Sequence, residues 1–200
     1  MSDSGPAAGN VDRNREHWRE MPVPRIPPAR KDETNVFLRP LLALAGRSFG
    51  GQPPNIFTTL ARHGKLFVPW LLFAGRLMPG GTLPRIDTEL VILRVAYLNH
   101  CRYEWDHHVR IGSKAGLTDA EIERVGDGPE ASGWSARQAA LLQATDELHS
   151  ERFIGDQTWA RLTEYLSHTE LIELCMLAGH YEMLAGTIQS AGIQPEKPLD

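Results

Sequence analysis

From Asn35 onward apolar residues recur every three to four positions, the spacing of helices with one buried face, and strand-like alternation is nowhere sustained. Thr118-Asp-Ala-Glu121, Ser135-Ala-Arg-Gln138 and Ser167-His-Thr-Glu170 each fit a capping box, in which the first and fourth side chains reciprocally satisfy free backbone N–H groups. They mark three helix starts. The full pattern predicts helices over 36–48, 54–63, 66–78, 85–98, 101–115, 119–126, 136–150, 156–166 and 169–190. Gly80-Gly81 before Pro84, Gly116, and Gly126-Asp-Gly-Pro129 with Gly133 punctuate them as turns. The expected fold class is all-α.

Residues 1–34 break this pattern. Pro6, Pro22, Pro24, Pro27 and Pro28 stand among charged residues, which favours extended segments over helix. This stretch reads as an N-terminal arm before a helical domain at 35–200. It is either a disordered tail or an arm laid over a neighbouring subunit, with Trp18, Met21 and Ile26 as anchors.

Composition narrows the function classes. A chain of 200 residues can bury roughly 70% of its unfolded surface, so no metal or disulfide staple is needed. The net charge is −4 and no Lys/Arg-rich run occurs, so a nucleic-acid partner is not expected. The most apolar stretch, Leu66–Met78, is interrupted by Pro69 and Arg76 and falls short of the roughly 20 residues a membrane span needs. It reads as core or oligomer interface, with no membrane contact. Met1–Asn10 lacks the apolar core of a secretory signal, and Cys101 and Cys175 are the only cysteines. The expected location is the cytoplasm.

Candidate chemistry gathers at one helix. At about 100° per residue, Cys101, Glu104 and His108 share a sector of roughly 60° over two turns, and Trp105 borders it. Cys101 falls in the first turn, where free N–H groups favour a thiolate. Glu104 and His108 are an i,i+4 pair, so the carboxylate can orient the ring or exchange a proton with it. Taken singly, each of these groups, like Glu89, reads as an ion-pair residue, and Cys101 as a small buried hydrophobe. Together they point to a site.

Glu89 joins them only if the chain turns back. Asn99-His100 supplies the break, since Asn tolerates the left-handed conformation and caps a following helix well. A hairpin there sets Glu89 opposite His108. Arg85, Arg94 and Arg102 read as surface salt-bridge residues, with Arg94 or Arg102 a possible counter-charge for an anionic ligand. His100 and His107 lie off the chosen face, while His180 is a further candidate to line the pocket from the C-terminal helix. Cys175, mid-helix in an apolar run, reads as inert. No metal-ligand spacing and no phosphate-binding glycine loop is present, so no metal and no cofactor is expected.

At these residues the sequence resembles the carboxymuconolactone decarboxylase family, which includes the alkylhydroperoxidase D group. The peroxidase members carry a glutamate, a Cys-x-x-Cys pair and a histidine at the spacing of Glu89, Cys101, position 104 and His108. Glu104 stands where the second cysteine would be. The runs Leu83–Ala96, Tyr103–His108 and Ala115–Ile122 are similar to the family's decarboxylase-like branch, as are Ala140–Leu148 and Glu173–Tyr181.

The resemblance implies an alkylhydroperoxidase D-like helical fold assembled as a homo-oligomer, a trimer or hexamer. It implies acid/base chemistry on a small organic acid, lactone or related carbonyl compound. In that reading His108 moves the proton, Glu89 relays to it, Glu104 orients it or protonates the substrate, and Tyr103, Trp105 and His180 bind the substrate. Without a resolving thiol beside it, Cys101 supports at most a single-thiol peroxidase, the alternative activity. A non-catalytic oligomeric binding protein is the second alternative.

Overall fold

The computed structural model describes Trp18 and residues 21–48 and 51–196. The remainder of the arm, at 1–17 and 19–20, and the end of the expected domain, at 197–200, lie outside the described residues. Among those described, α-helices occupy Arg39–Ser48 (α1), Asn55–Leu60 (α2), Gly64–Leu77 (α3), Arg85–Leu98 (α4) and Arg102–Ala115 (α5). Asp119–Arg124 (α6), Ala136–Ser150 (α7), Asp156–Thr163 (α8) and His168–Ala191 (α9) follow, with no strand.

The three capping boxes are all formed, at Thr118, Ser135 and Ser167. Helix α1 starts later than the apolar spacing suggests, because the Asn35 side chain accepts the Phe37 N–H (3.0 Å) and holds a turn ahead of it. Helix α2 ends at Leu60 and passes into a tighter 3₁₀ turn at Ala61–His63.

Helix α4 is the axis of the fold. Every residue from Asp87 to Ala96 is buried, with α5, α7 and α9 packed around it. A helix enclosed on all sides is normally apolar all round. The four polar residues in that run, Asp87, Thr88, Glu89 and Arg94, therefore need partners. Asp87 meets Arg137 of α7 at 2.7 Å, and Arg94 grips Asp146 of α7 through two bonds of 2.6 and 2.7 Å. Glu89 alone faces α5.

The turn from α4 to α5 lies where the sequence places it, but the left-handed residue is His100 (φ 53°), not Asn99. Asn99 stays helical and spends its side chain on Val95 O and Glu182 Oε1, both at 2.9 Å. Gly112 sets how closely the two helices approach. A β-carbon there would lie 3.0 Å from Leu117, 3.4 Å from Leu93 and 3.6 Å from Glu89 Cβ.

The described part of the arm makes contacts with its own chain. The N–H groups of Arg25 and Ile26 reach Ala191 O at 2.9 and 3.0 Å, satisfying a carbonyl that the end of α9 leaves open. Gln194 Nε2 donates to Met21 O (2.6 Å), and Trp18 is buried edge-on against Trp105 and Tyr97. Ile26 remains partly exposed. Among the described residues no helix is long and apolar enough to cross a membrane.

Candidate active site

The hairpin brings α4 and α5 face to face, and Glu89 and His108 meet across it. Glu89 is 0% exposed, and its Oε2 accepts from His108 Nδ1 at 2.7 Å. Its Oε1 lies 2.8 Å from Arg85 Nη2, one turn back on α4, in an ion pair rather than an aligned hydrogen bond. An ionised carboxylate only accepts, so the His108 proton sits on Nδ1 and Nε2 is the nitrogen left for chemistry. The ring of Tyr181 on α9 stands edge-on to His108 at 5.1 Å and fixes its plane.

His108 and Tyr181 line a cavity of about 550 Å³, with Glu89 behind His108. Its floor is α5, through Tyr103, Glu104, His107 and His108; α9 contributes His180, Tyr181 and Leu184; α3 contributes Trp70, Leu71 and Ala74. The walls are mostly apolar, as in most small-molecule pockets.

Glu104 is the exceptional group in that wall. It is buried, and neither carboxyl oxygen meets a donor in hydrogen-bond geometry. Burial drives its pKa well above the ordinary carboxylate range; the nearby Cys101 thiol opposes this and the charge of Glu182 adds to it. The expected Glu104–His108 pairing is therefore replaced: Glu89 orients the ring, and Glu104 stands apart as a neutral acid. His180 is also held neutral, its pKa pushed down to about 4 by burial. Its Nδ1 has no hydrogen-bond partner, and its ring stacks on Trp70 at 6.1 Å. The Tyr181 hydroxyl is pushed well above its usual range by burial first and by the charges of Glu89 and Glu104 next.

Cys101 does not behave as its place in the sequence suggests. It caps α5 but is 1% exposed, and burial, followed by the charge of Glu104, drives its pKa far upward. Contact with the Glu104 backbone N–H works in the other direction and is outweighed. Cys101 also lines a separate pocket of about 300 Å³ with Met21, Arg102 and Gln194, away from His108. Cys175 is half-buried, and burial raises its thiol too.

Trp105 is corrected as well. One residue beyond Glu104 turns it about 100° away from the cavity, into a cluster with Trp18, Tyr97 and Leu90. Tyr103 lines the cavity, but its hydroxyl is committed, donating to Glu196 Oε1 at 2.7 Å and accepting from Ile56 N–H at 3.2 Å. Glu196 also receives His107 Nε2 (3.0 Å) and the Asn55 N–H (2.7 Å). Against the effect of burial, those bonds hold its pKa down to about 2. His107, set aside from the sequence, is thus part of the floor, and Glu196 carried no signal because its role depends on the tail folding back.

Arg85 forms a salt bridge, as the sequence suggests, but its partner is the fully buried Glu89. Its i,i+4 spacing to Glu89 was the available signal. Arg94 is spent on Asp146, and Arg102 faces Asp106 at 3.4 Å near the surface. Trp70, Met78 and Tyr181 complete the walls and were not singled out from the sequence. Among the described residues no group of three or more His, Cys, Asp or Glu could hold a metal ion.

A buried glutamate folded onto a histidine across an α-hairpin, beside a largely apolar cavity, defines an all-α protein with an alkylhydroperoxidase D-like core. Residues 66–147 match the Carboxymuconolactone decarboxylase family model. An uncharacterized peroxidase-related protein from Ralstonia eutropha JMP134, with an alkylhydroperoxidase AhpD core, superposes with a TM-score of 0.77 at 18% identity, covering 88% of this chain and 94% of that one. An uncharacterized peroxidase-related protein from Silicibacter sp. TM1040 gives 0.74 at 14% identity, covering 90% and 93%. The debrominase Bmp8 gives 0.71 at 14% identity, covering 86% and 91%. No curated protein matches the chain by sequence. Over residues 66–147 the chain thus resembles the carboxymuconolactone decarboxylase family, and its fold is alkylhydroperoxidase D-like.

Proposed function

We propose that this protein is an acid/base enzyme acting on a small carbonyl compound, organic acid or lactone, with His108 as the proton-transferring group. The observation that carries this reading is the buried Glu89–His108 hydrogen bond of 2.7 Å at the wall of the cavity. Glu89 holds the ring so that Nε2 faces substrate and stabilises the imidazolium formed when Nε2 takes a proton. Arg85 pairs with the other Glu89 oxygen at 2.8 Å. Glu104 supplies a second acid, which burial pushes well above the ordinary carboxylate range and so keeps neutral.

Peroxide reduction through Cys101 is the weaker reading for this chain. A thiolate nucleophile needs a depressed pKa and access, and Cys101 has neither. The peroxidase-related neighbours share the fold at 14–18% identity, which carries no activity with it.

Deuterium wash-in tests this without knowledge of the natural substrate. Small carbonyl compounds with an acidic C–H are incubated with the protein in D₂O and followed by NMR. Wild type and Cys101→Ala should both accelerate exchange, and His108→Ala should slow it by about 10² or more. Exchange that survives His108→Ala, or vanishes with Cys101→Ala, rejects the reading.

We further infer a homo-oligomer, a trimer or hexamer. Leu66 and Leu72 on α3 and Ile172, Met176 and Met183 on α9 leave apolar surface exposed, which supports an interface on these two helices.

A further inference from the structure

Arg85 is the one Lys or Arg among the described residues that line the cavity. Its ion pair with Glu89 is lopsided. The Glu89 side chain is 0% exposed and that of Arg85 is 34% exposed, so the carboxylate is sealed in while the guanidinium stays accessible. A guanidinium carries five N–H donors in a rigid fork. Among the described residues those of Arg85 are answered by a single contact, Nη2 to Glu89 Oε1 at 2.8 Å. Its charge also acts on the Tyr181 hydroxyl, which sets the guanidinium beside the wall that α9 contributes. The counter-charge for an anionic ligand, sought from the sequence at Arg94 or Arg102, is thus present at Arg85.

Position ties this cation to the base. One Glu89 oxygen holds Arg85 and the other holds His108 Nδ1 at 2.7 Å, so guanidinium and imidazole flank one fixed carboxyl group and both border the cavity. Pairing of the planar fork with a ligand carboxylate is charge-assisted and directional. A carboxylate on the open edge of Arg85 lies next to His108, and the hydrocarbon part of the ligand meets Phe57, Trp70, Leu71 and Met78. The same pairing selects the reaction. A carboxylate held by Arg85 loses that stabilisation if it leaves as CO₂, so the ion pair raises the barrier to its loss. Proton transfer at a neighbouring carbon leaves the pair intact.

We propose that Arg85 anchors the substrate of this cavity, an oxo acid whose carboxylate stays on the guanidinium throughout while a C–H beside its carbonyl faces His108 Nε2. This rests on the acid/base reading above and narrows it to anionic substrates, with isomerisation in place of decarboxylation at the anchored group. His108 Nε2 takes the proton from the carbon beside the carbonyl, and the C–H electron pair becomes the enolate. Return of the proton to the same or a conjugated carbon restores the carbonyl and neutral His108, consuming no oxidant, reductant or co-reactant. The carboxylate makes and breaks no bond.

Benzoate and benzamide, nearly equal in shape and differing in charge, serve as probes in calorimetric titrations of the full chain at neutral pH. Benzoate should bind about tenfold more tightly or better. Arg85→Gln should erase that advantage with unchanged circular dichroism. Arg85→Lys, which keeps the charge but loses the fork, should weaken benzoate by about threefold and leave benzamide unmoved; it decides alone if the Gln variant does not fold. Equal binding of the two probes, binding of neither, an advantage that survives Arg85→Gln, or benzoate indifferent to Arg85→Lys overturns the proposal. Acetoacetate in D₂O reads the chemistry separately: the protein should speed deuterium entry beside the carbonyl and not speed release of CO₂. Accelerated CO₂ release overturns the retained carboxylate. A charge preference set by Arg85 without accelerated exchange sinks the acid/base function and leaves the anchor standing, whereas equal acceleration for uncharged acetoacetamide does the reverse.

Discussion

The Glu104 carboxyl, beside the Cys101 thiol, and His180, whose Nδ1 has no partner, both sit in the cavity wall, and burial holds both neutral. For His180 the consequence is a pH dependence of stability. Its folded pKa lies near 4 against 6.5 for the free group, so the unfolded chain binds the extra proton first. Its contribution is present above pH 6.5 and is lost as pH falls toward 4. Chemical denaturation of His180→Phe should show a shallower loss of stability across that window, smaller by up to about 3 kcal/mol; an unchanged slope counts against a buried neutral imidazole. The stripe of Cys101, Glu104 and His108 was readable at this scale, because helical periodicity fixes direction around an axis. Depth was not. Whether Trp105 or Glu104 faces the cavity depends on Trp18 and Tyr97 arriving on one side and α9 on the other, and neither is encoded within α5.

Helices α4 and α5 form a device for holding one hydrogen bond. The break at 99–100 was legible from Asn99-His100, although the left-handed conformation falls on His100 because the Asn99 side chain is drawn back to Val95 O and across to Glu182. Gly112 lets the helices close far enough for His108 to reach Glu89. Gly112→Val places branched carbon against Leu117 and Leu93, so it should cost roughly 1–3 kcal/mol of unfolding free energy and slow deuterium exchange by forcing the helices apart. Full exchange activity in that variant would mean that the close packing does not position the ring. The arm's return onto the end of α9 was not legible, because its hydrogen bonds use Ala191 O, a backbone group with no sequence signature.

At the scale of the molecule, the all-α architecture was readable from periodicity and from the three capping boxes, all of which form. The cavity was not, since its walls come from α3, α5 and α9 and its floor is braced by Glu196 near the end of the described chain. The apolar surface of α3 and α9 predicts that light scattering gives the mass of a trimer or hexamer, and that Leu72→Glu with Met176→Glu lowers it. A monomer in the unmutated protein rejects that interface. The fold as a whole serves proton transfer only if it keeps Glu104 protonated beside the Glu89–His108 pair, and infrared difference spectra at neutral pH read this directly. Wild type minus Glu104→Gln should contain a protonated-carboxyl band; a carboxylate band in its place would contradict the acid/base account of the cavity.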